Sequence, residues 1–277
     1  MFITRFAPSP TGPLHLGHAF SAMLAHDRAR AAGGRFLLRI DDLDRSRCRA
    51  EWEARIFDDL RWLGLAWPEP VLRQSARLPR YRGALRSLWG RGLLYPCRCT
   101  RADIRAAASA PQEGAPLHGP DGIIYPGTCR PRTAPTGPMP DGMALRLDMA
   151  RAVRLAGENL KFLDNGVEIR VPDLVETVGD VVLARRDLGA SYHLAVVLDD
   201  ADQQITDVIR GEDLRDATRI HVLLQRLLGL PVPAYHHHRL IRDAQGRRLA
   251  KRDDARAIAT YRAEGARPQD IRAMVGL

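Results

Sequence analysis

Arg5-Phe6-Ala7-Pro8-Ser9-Pro10-Thr11-Gly12-Pro13-Leu14-His15-Leu16-Gly17-His18 is the stretch that decides the fold class. Residues Ile3 to Ala7 read as a short buried strand, and the proline-rich run that follows excludes helix. From His15 to Ala32 apolar residues return at helical spacing, at Leu16, Phe20, Met23, Leu24 and Ala31. Gly33-Gly34 ends that helix, and Arg35-Phe36-Leu37-Leu38-Arg39-Ile40 reads as a second buried strand. Strand, helix and strand in immediate succession make a β-α-β unit with a right-handed crossover. The expected fold is therefore α/β with a doubly wound parallel sheet, in which ligands bind at the carboxyl ends of the strands. Those ends are Arg5 to Ser9 and Arg39 to Asp44.

The same stretch has the makings of an anion site. A helix N-terminus offers free backbone N–H groups and the positive end of the helix dipole. Gly17 lets a ligand approach the backbone. His15 and His18, one turn apart, can donate to one phosphate. Taken alone, a His-x-x-His pair is more often a capping or surface pair than a ligand site, so its context matters.

Working outward, Glu51 to Leu63, Arg80 to Gly90 and Ile220 to Leu228 are expected to be helices, and the tail beyond Arg252 is expected to be helical. Regular patterning also marks Val167 to Val171, Tyr192 to Leu198 and Gln204 to Ile209. Ala106 to Gly142 is rich in Ala, Pro and Gly and is expected to be mostly loop. There is no internal repeat. The chain has 277 residues, with 42 Lys and Arg against 33 Asp and Glu, a net charge of +9. That surplus points to a polyanionic partner, with nucleic acid ahead of a membrane. Lys161 and Lys251 are the only lysines among otherwise arginine cations, which draws attention to where a compact ammonium is retained. No apolar run is long enough to span a bilayer and no secretory signal opens the chain. The expectation is a cytoplasmic protein, in which clustered cysteines read as a metal site before a disulfide.

Five further segments complete the pattern: Arg39-Ile40-Asp41-Asp42-Leu43-Asp44, Tyr192 to Asp200, Val208-Ile209-Arg210-Gly211-Glu212-Asp213-Leu214, Tyr235-His236-His237 and Arg248-Leu249-Ala250-Lys251-Arg252. With His15-Leu16-Gly17-His18 they resemble, in family order, the blocks of the class I aminoacyl-tRNA synthetases of the glutamyl and glutaminyl type. The histidine run corresponds to the "HIGH" signature and the lysine run to the "KMSKS" loop. The resemblance implies a Rossmann-like catalytic domain that joins glutamate to ATP with loss of pyrophosphate. By the same resemblance His15, His18 and Lys251 are catalytic, and Pro8, Ser9, Gly17 and Arg248 join them around ATP and its Mg²⁺. The glutamate site comprises Arg5, Phe6, Ala7, Pro8, Ser9, Asp41, Tyr192 and Arg210. Arg5 and Arg210 suit the γ-carboxylate because a guanidinium matches a carboxylate with two parallel hydrogen bonds. Two departures stand out: Asp41 occupies the place of a family glutamate, one methylene shorter, and Ala250 replaces the loop serine.

Cys97, Cys99 and Cys129 offer three thiolates to a tetrahedral zinc. Ligand chemistry alone favours His118 as the fourth ligand; the resemblance instead favours Tyr125, as a structural Zn²⁺ site in an inserted subdomain. Cys48 has no such company. The consecutive His236, His237 and His238 do not suit one ion, because side chains alternate along a strand. The expected division is 1–96 and 175–235 for the two catalytic halves, 97–174 for a zinc-containing α+β insert, and 236–277 for the ATP loop and a short helical segment. With Leu277 the last residue, no anticodon-binding domain is expected. The short form resembles the glutamyl-Q tRNA(Asp) synthetases, which attach glutamate to queuosine at the wobble position of tRNA(Asp). Partners implied are tRNA and L-glutamate, with a monomeric enzyme and no membrane. A minimal enzyme charging the 3′ end of tRNA(Glu), a silent RNA-binding paralogue and a nucleotidylyltransferase are the competing readings.

Overall fold

The computed structural model of the protein describes residues 1–108, 118–242 and 256–277. The chain begins β1 (Ile3–Phe6), α1 (Leu16–Ala31), β2 (Arg35–Ile40), α2 (Ala50–Trp62), β3 (Leu72–Arg73), α3 (Leu78–Gly90) and β4 (Leu94–Cys97). It continues α4 (Arg101–Ala108), β5 (His118–Gly119), β6 (Gly122–Ile123), β7 (Ala144–Leu147), α5 (Met149–Ala156), β8 (Lys161–Asp164), β9 (Val167–Arg170) and α6 (Leu174–Thr177). It ends β10 (Val182–Ala184), α7 (Tyr192–Asp202), β11 (Asp207–Gly211), α8 (Thr218–Leu228), β12 (Ala234–His238), α9 (Ile258–Ala263) and α10 (Pro268–Val275). The chain forms two compact units: Met1–Ala76 with Gln204–Asp213 and Pro233–Leu277, and Arg77–Gln203 with Leu214–Val232.

In the first unit β1 pairs parallel with β2 from Ile3↔Arg35 to Phe6↔Leu38, as the β-α-β reading requires. β2 in turn pairs parallel with β3, and β11 with β12. Thr206 joins the two groups: its N–H donates to the Ile3 carbonyl and its own carbonyl accepts from Ala234 N–H, both at 2.9 Å. The strands thus follow the order β3, β2, β1, β11, β12, with the direction of winding reversing between β1 and β11. Crevices at such reversals are where ligands bind in open α/β sheets. Leu16, Ala19, Phe20 and Met23 of α1 pack with Phe36, Leu38 and Ile40 of β2, Ile56 and Leu60 of α2, and Ile258, Ile271 and Val275 of the last two helices in one buried cluster. Each of these side chains larger than alanine contributes roughly 1.5–3 kcal/mol when fully buried.

The second unit is built on a three-stranded antiparallel sheet, β10-β7-β4, with Leu94 opposite Leu147 and Cys97 opposite Ala144. A buried carboxylate ties it together: Asp180 accepts from Tyr95 Oη, from Arg130 Nε at 2.6 Å and from Met149 N–H at 2.8 Å. The loop expected over 106–142 does carry little regular structure among its described residues, only the end of α4 and the two-residue strands β5 and β6. No helix among the described residues is long and apolar enough to cross a membrane.

Candidate active site and metal centre

The first-unit site is assembled from backbone that leaves β1 and enters α1. His15 caps the helix in extended conformation, at φ −125° and ψ 175°. Its Nδ1 accepts from Gly17 N–H at 3.1 Å, while His18 Nδ1 accepts from His15 N–H at 3.2 Å. The two ring centroids lie 3.8 Å apart, with their planes tilted by 36°. This is a capping box made of imidazoles. It has a chemical consequence: a neutral ring whose Nδ1 accepts carries its proton on Nε2, so each histidine is set as an N–H donor. The capping and anion-binding readings of His-x-x-His are therefore compatible, since the cap fixes the tautomer that suits an anion. A Cβ at Gly17 would sit 3.1 Å from His15 Cε1, so a side chain there would push the capping ring aside.

The second motif lies alongside the first. Asp41 N–H donates to the Pro8 carbonyl and Arg49 N–H to the Pro10 carbonyl, both at 3.0 Å. The Asp41 carboxylate receives Arg39 Nε at 2.8 Å, and Arg39 is fully buried. Asp42 instead holds Ser75 through its N–H at 2.7 Å and its hydroxyl at 2.6 Å. Arg5 and Arg210 are both 5% exposed and occupy equivalent places near the carboxyl ends of the neighbouring strands β1 and β11. Arg210 Nε donates to His237 Nε2 at 3.2 Å, directly across the β11–β12 register, and its guanidinium lies 5.2 Å from the Tyr235 ring centroid. The histidine triplet divides its attention: His236 binds Asp207 at 2.7 Å, His237 meets Arg210, and His238 meets the Arg239 carbonyl at 2.9 Å. The strand expected for this triplet is β12; the His237–Arg210 bond across it was not foreseen.

Arg248 and Lys251, with Ala250 and Arg252, lie outside the described residues. The chain that follows them returns to the histidines: Ala257 forms an antiparallel bridge with His15, and Ile258 N–H donates to the Leu14 carbonyl at 2.9 Å. On the approaching side, His238 packs edge-on against Phe20 of α1 at 4.9 Å. In the second unit, Tyr192 is the first residue of α7 and is 36% exposed, behind a Ser191 cap that accepts from Leu194 N–H at 3.3 Å.

The three cysteines come together as their spacing suggested, with all Sγ atoms within 4.8 Å of one another. Tyr125 Oη sits among them, 3.5 Å from Cys97 Sγ and 3.4 Å from Cys99 Sγ, and accepts from Cys129 N–H at 2.8 Å. His118 is exposed in β5 and does not join the group, so of the two fourth-ligand candidates the fold brings Tyr125 to the thiols. Burial opposes ionisation of Cys129, but hydrogen bonds from Tyr125 and its neighbours outweigh it and bring the thiol down to about 7. Three thiols and a phenol oxygen at these separations fit a tetrahedral Zn²⁺ donor set.

Comparison with known proteins gives a consistent result. The model of the family "tRNA synthetases class I (E and Q), catalytic domain" matches residues 1–277. The glutamyl-Q tRNA(Asp) synthetase of Rhodobacter capsulatus is 64% identical over 278 residues, covering 99% of this chain and 100% of that protein. The protein of the same name from Symbiobacterium thermophilum is 43% identical over 289 residues, covering 98% and 84%. Among solved structures, the glutamate-tRNA synthetase of Elizabethkingia anophelis superimposes with a TM-score of 0.77 at 26% identity, over 100% of this chain and 61% of that one.

Proposed function

This chain belongs to the class I tRNA synthetases of the E and Q type, and from that membership we propose that it activates L-glutamate with ATP and transfers it to the queuosine base of tRNA(Asp). In the first step a glutamate α-carboxylate oxygen attacks the α-phosphorus of ATP, the bond to the β-phosphate breaks, and pyrophosphate leaves. In the second, a hydroxyl of the queuosine cyclopentene diol attacks the activated carbonyl, gives up its proton, and AMP leaves. Both steps need alignment and stabilisation of charge on phosphate oxygens more than covalent help.

The observation that carries this reading is the imidazole capping box at His15 and His18, with Ala257 bridged to His15. It supports a phosphate site at the start of α1 that is served by the ATP loop through Lys251. Mg²⁺ accompanies the nucleotide and shields its charge. Pro8, Ser9 and Gly17 line the ATP with Arg248, and Pro8 and Ser9 also face the amino acid beside Phe6 and Ala7. Arg5 and Arg210 bind the γ-carboxylate, Tyr192 adds its hydroxyl and Asp41 takes the ammonium. Guanidinium groups in this role select glutamate over glutamine, because an amide leaves a buried cation without its counter-charge. Cys97, Cys99, Tyr125 and Cys129 would hold the Zn²⁺, which supplies a structural cross-link between β4 and the 125–129 segment where little apolar core exists.

Acceptor identity is tested by incubating the enzyme and ATP with labelled glutamate and purified tRNA(Asp) that carries or lacks queuosine. Label on the queuosine form alone is expected. Label at the 3′ end of tRNA(Glu) would move the assignment to a minimal charging enzyme.

A further inference from the structure

Beneath Tyr192 the second unit holds an unusual polar chain of two buried imidazoles and a carboxylate that is about half exposed. His193 of α7 is 5% exposed and His221 of α8 is 1% exposed. His193 Nδ1 lies 3.1 Å from His221 Nε2, and His193 Nε2 lies 2.9 Å from Asp121 Oδ1. Asp121 comes from the turn between β5 and β6, so three separate elements meet here. Buried imidazoles are costly unless bonded, and an apolar pair of similar volume would fill the space without that cost. The chain also has a direction. An ionised carboxylate only accepts, so His193 donates from Nε2; the neutral ring then accepts at Nδ1, and His221 donates from Nε2. Rotating either ring would break a bond, which locks both planes.

Those locked planes are what the exposed tyrosine rests on. The Tyr192 ring centroid is 5.5 Å from that of His193 and 5.6 Å from that of His221, at interplanar angles of 64° and 61°. Both contacts are edge-to-face, the arrangement aromatic pairs prefer and one that fixes a ring's tilt. We infer that Asp121, His193 and His221 are positioning residues that hold the Tyr192 ring, and through it the hydroxyl, in place for the glutamate side chain. This deepens the proposed function and rests on its assignment of Tyr192 to the γ-carboxylate. Asp121 and both histidines touch no reacting atom; they act through Tyr192.

The network should therefore tune glutamate binding and leave ATP untouched. The test is ATP–pyrophosphate exchange with tRNA(Asp) present, measuring KM for glutamate and for ATP separately, with thermal melts confirming that each variant is folded. His221→Leu removes the donor to His193 and is expected to raise the glutamate KM about 3–10-fold, the range of one net hydrogen bond, at unchanged ATP KM. His221→Gln places an amide N–H near the lost Nε2 and is expected to restore most of the affinity. In a Tyr192→Phe background, where there is no hydroxyl to position, His221→Leu is expected to add nothing. A folded His221→Leu enzyme with wild-type glutamate KM, or a full additional loss in the Tyr192→Phe background, overturns the inference. A wild-type glutamate KM in Tyr192→Phe itself overturns the assignment of Tyr192, and the positioning role with it.

Discussion

The guanidinium of Arg146 lies 3.7 Å over the ring of Tyr125 while its Nε donates to Cys97 Sγ at 3.3 Å. A third contact, from Nη1 to the Asp180 carbonyl at 2.7 Å, holds it there, and the residue is only 8% exposed. With Zn²⁺ bound at these residues, three thiolates and a phenolate would carry net negative charge where Cys97 and Tyr125 are buried. Arg146 supplies a counter-charge to two of the four groups at once, and packs the ring so that its hydroxyl faces the sulfurs.

Arg146→Gln is accordingly expected to lower zinc affinity about 10–100-fold, the usual cost of losing a group that supports metal ligands. Arg146→Lys keeps the charge but cannot span sulfur, ring and carbonyl together, and should fall between. Competition against a chromophoric chelator reads both. Equal zinc retention by all three proteins would show that the site needs no such compensation.

Arg39 and Asp41 form a buried ion pair, with side chains 0% and 10% exposed. Removing one partner of such a pair costs roughly 3–5 kcal/mol, because the remaining charge keeps its desolvation penalty. Asp41→Ala should therefore lower the midpoint of denaturant unfolding as well as abolish glutamate activation. Asp41→Glu separates the two roles: the added methylene restores the family's residue, so glutamate KM should hold or fall even if Arg39 is less well seated. A Glu variant that is stable yet has a much higher glutamate KM would show that Asp41 is matched to this pocket at its own length.

Much of the first unit was legible in the sequence because its determinants are local. The strand, proline turn, helix and strand of residues 3–40 are set by periodicity and breakers, and β1, α1 and β2 fall within a residue or two of their expected places. The thiol cluster was legible because Cys-x-Cys is a short-range signal. The contacts that orient these groups were not. Arg146 reaches Cys97 across 49 residues and Asp121 reaches His193 across 72, and no periodicity links such positions. Capping by His15 and His18 was legible as the alternative to an anion site; that the two caps are reciprocal and coexist with that site was not, because serine or aspartate, not imidazole, is the usual sign of a cap.

The last helix gives a test in which two kinds of contact compete on one segment. In α10, Arg272 binds Asp27 of α1 through bonds of 2.6 and 3.1 Å, while Ile271 and Val275 are buried in the core. The ion pair holds the Asp27 carboxyl below its usual range, yet both side chains are about a third exposed, so solvent screens it. Arg272→Ala is expected to cost less than about 1 kcal/mol, and Ile271→Ala about 2–5 kcal/mol through the cavity it leaves. Denaturant unfolding of the two variants should rank them in that order; the reverse order would mean that charge, not packing, docks the helix.

Asp59 predicts a pH dependence of opposite sign to the usual carboxylate. It lies on the inner side of α2 at 3% exposure, and burial first, then the charge of Asp58, raises its carboxyl from 3.8 to about 6 against the pull of Arg262 and Arg55. Between those two values the folded chain binds more protons at this site than the unfolded chain. Its contribution to stability therefore falls as pH rises from about 4 to about 6 and is flat above. A shift of that size corresponds to about 3 kcal/mol at neutral pH. Asp59→Asn removes the charge and keeps the shape. The variant should match wild type near pH 4, exceed it increasingly up to about pH 6 and hold that margin to pH 7, in urea unfolding measured across the range. A constant difference between the two proteins across that range would place the effect in packing and not in the buried charge.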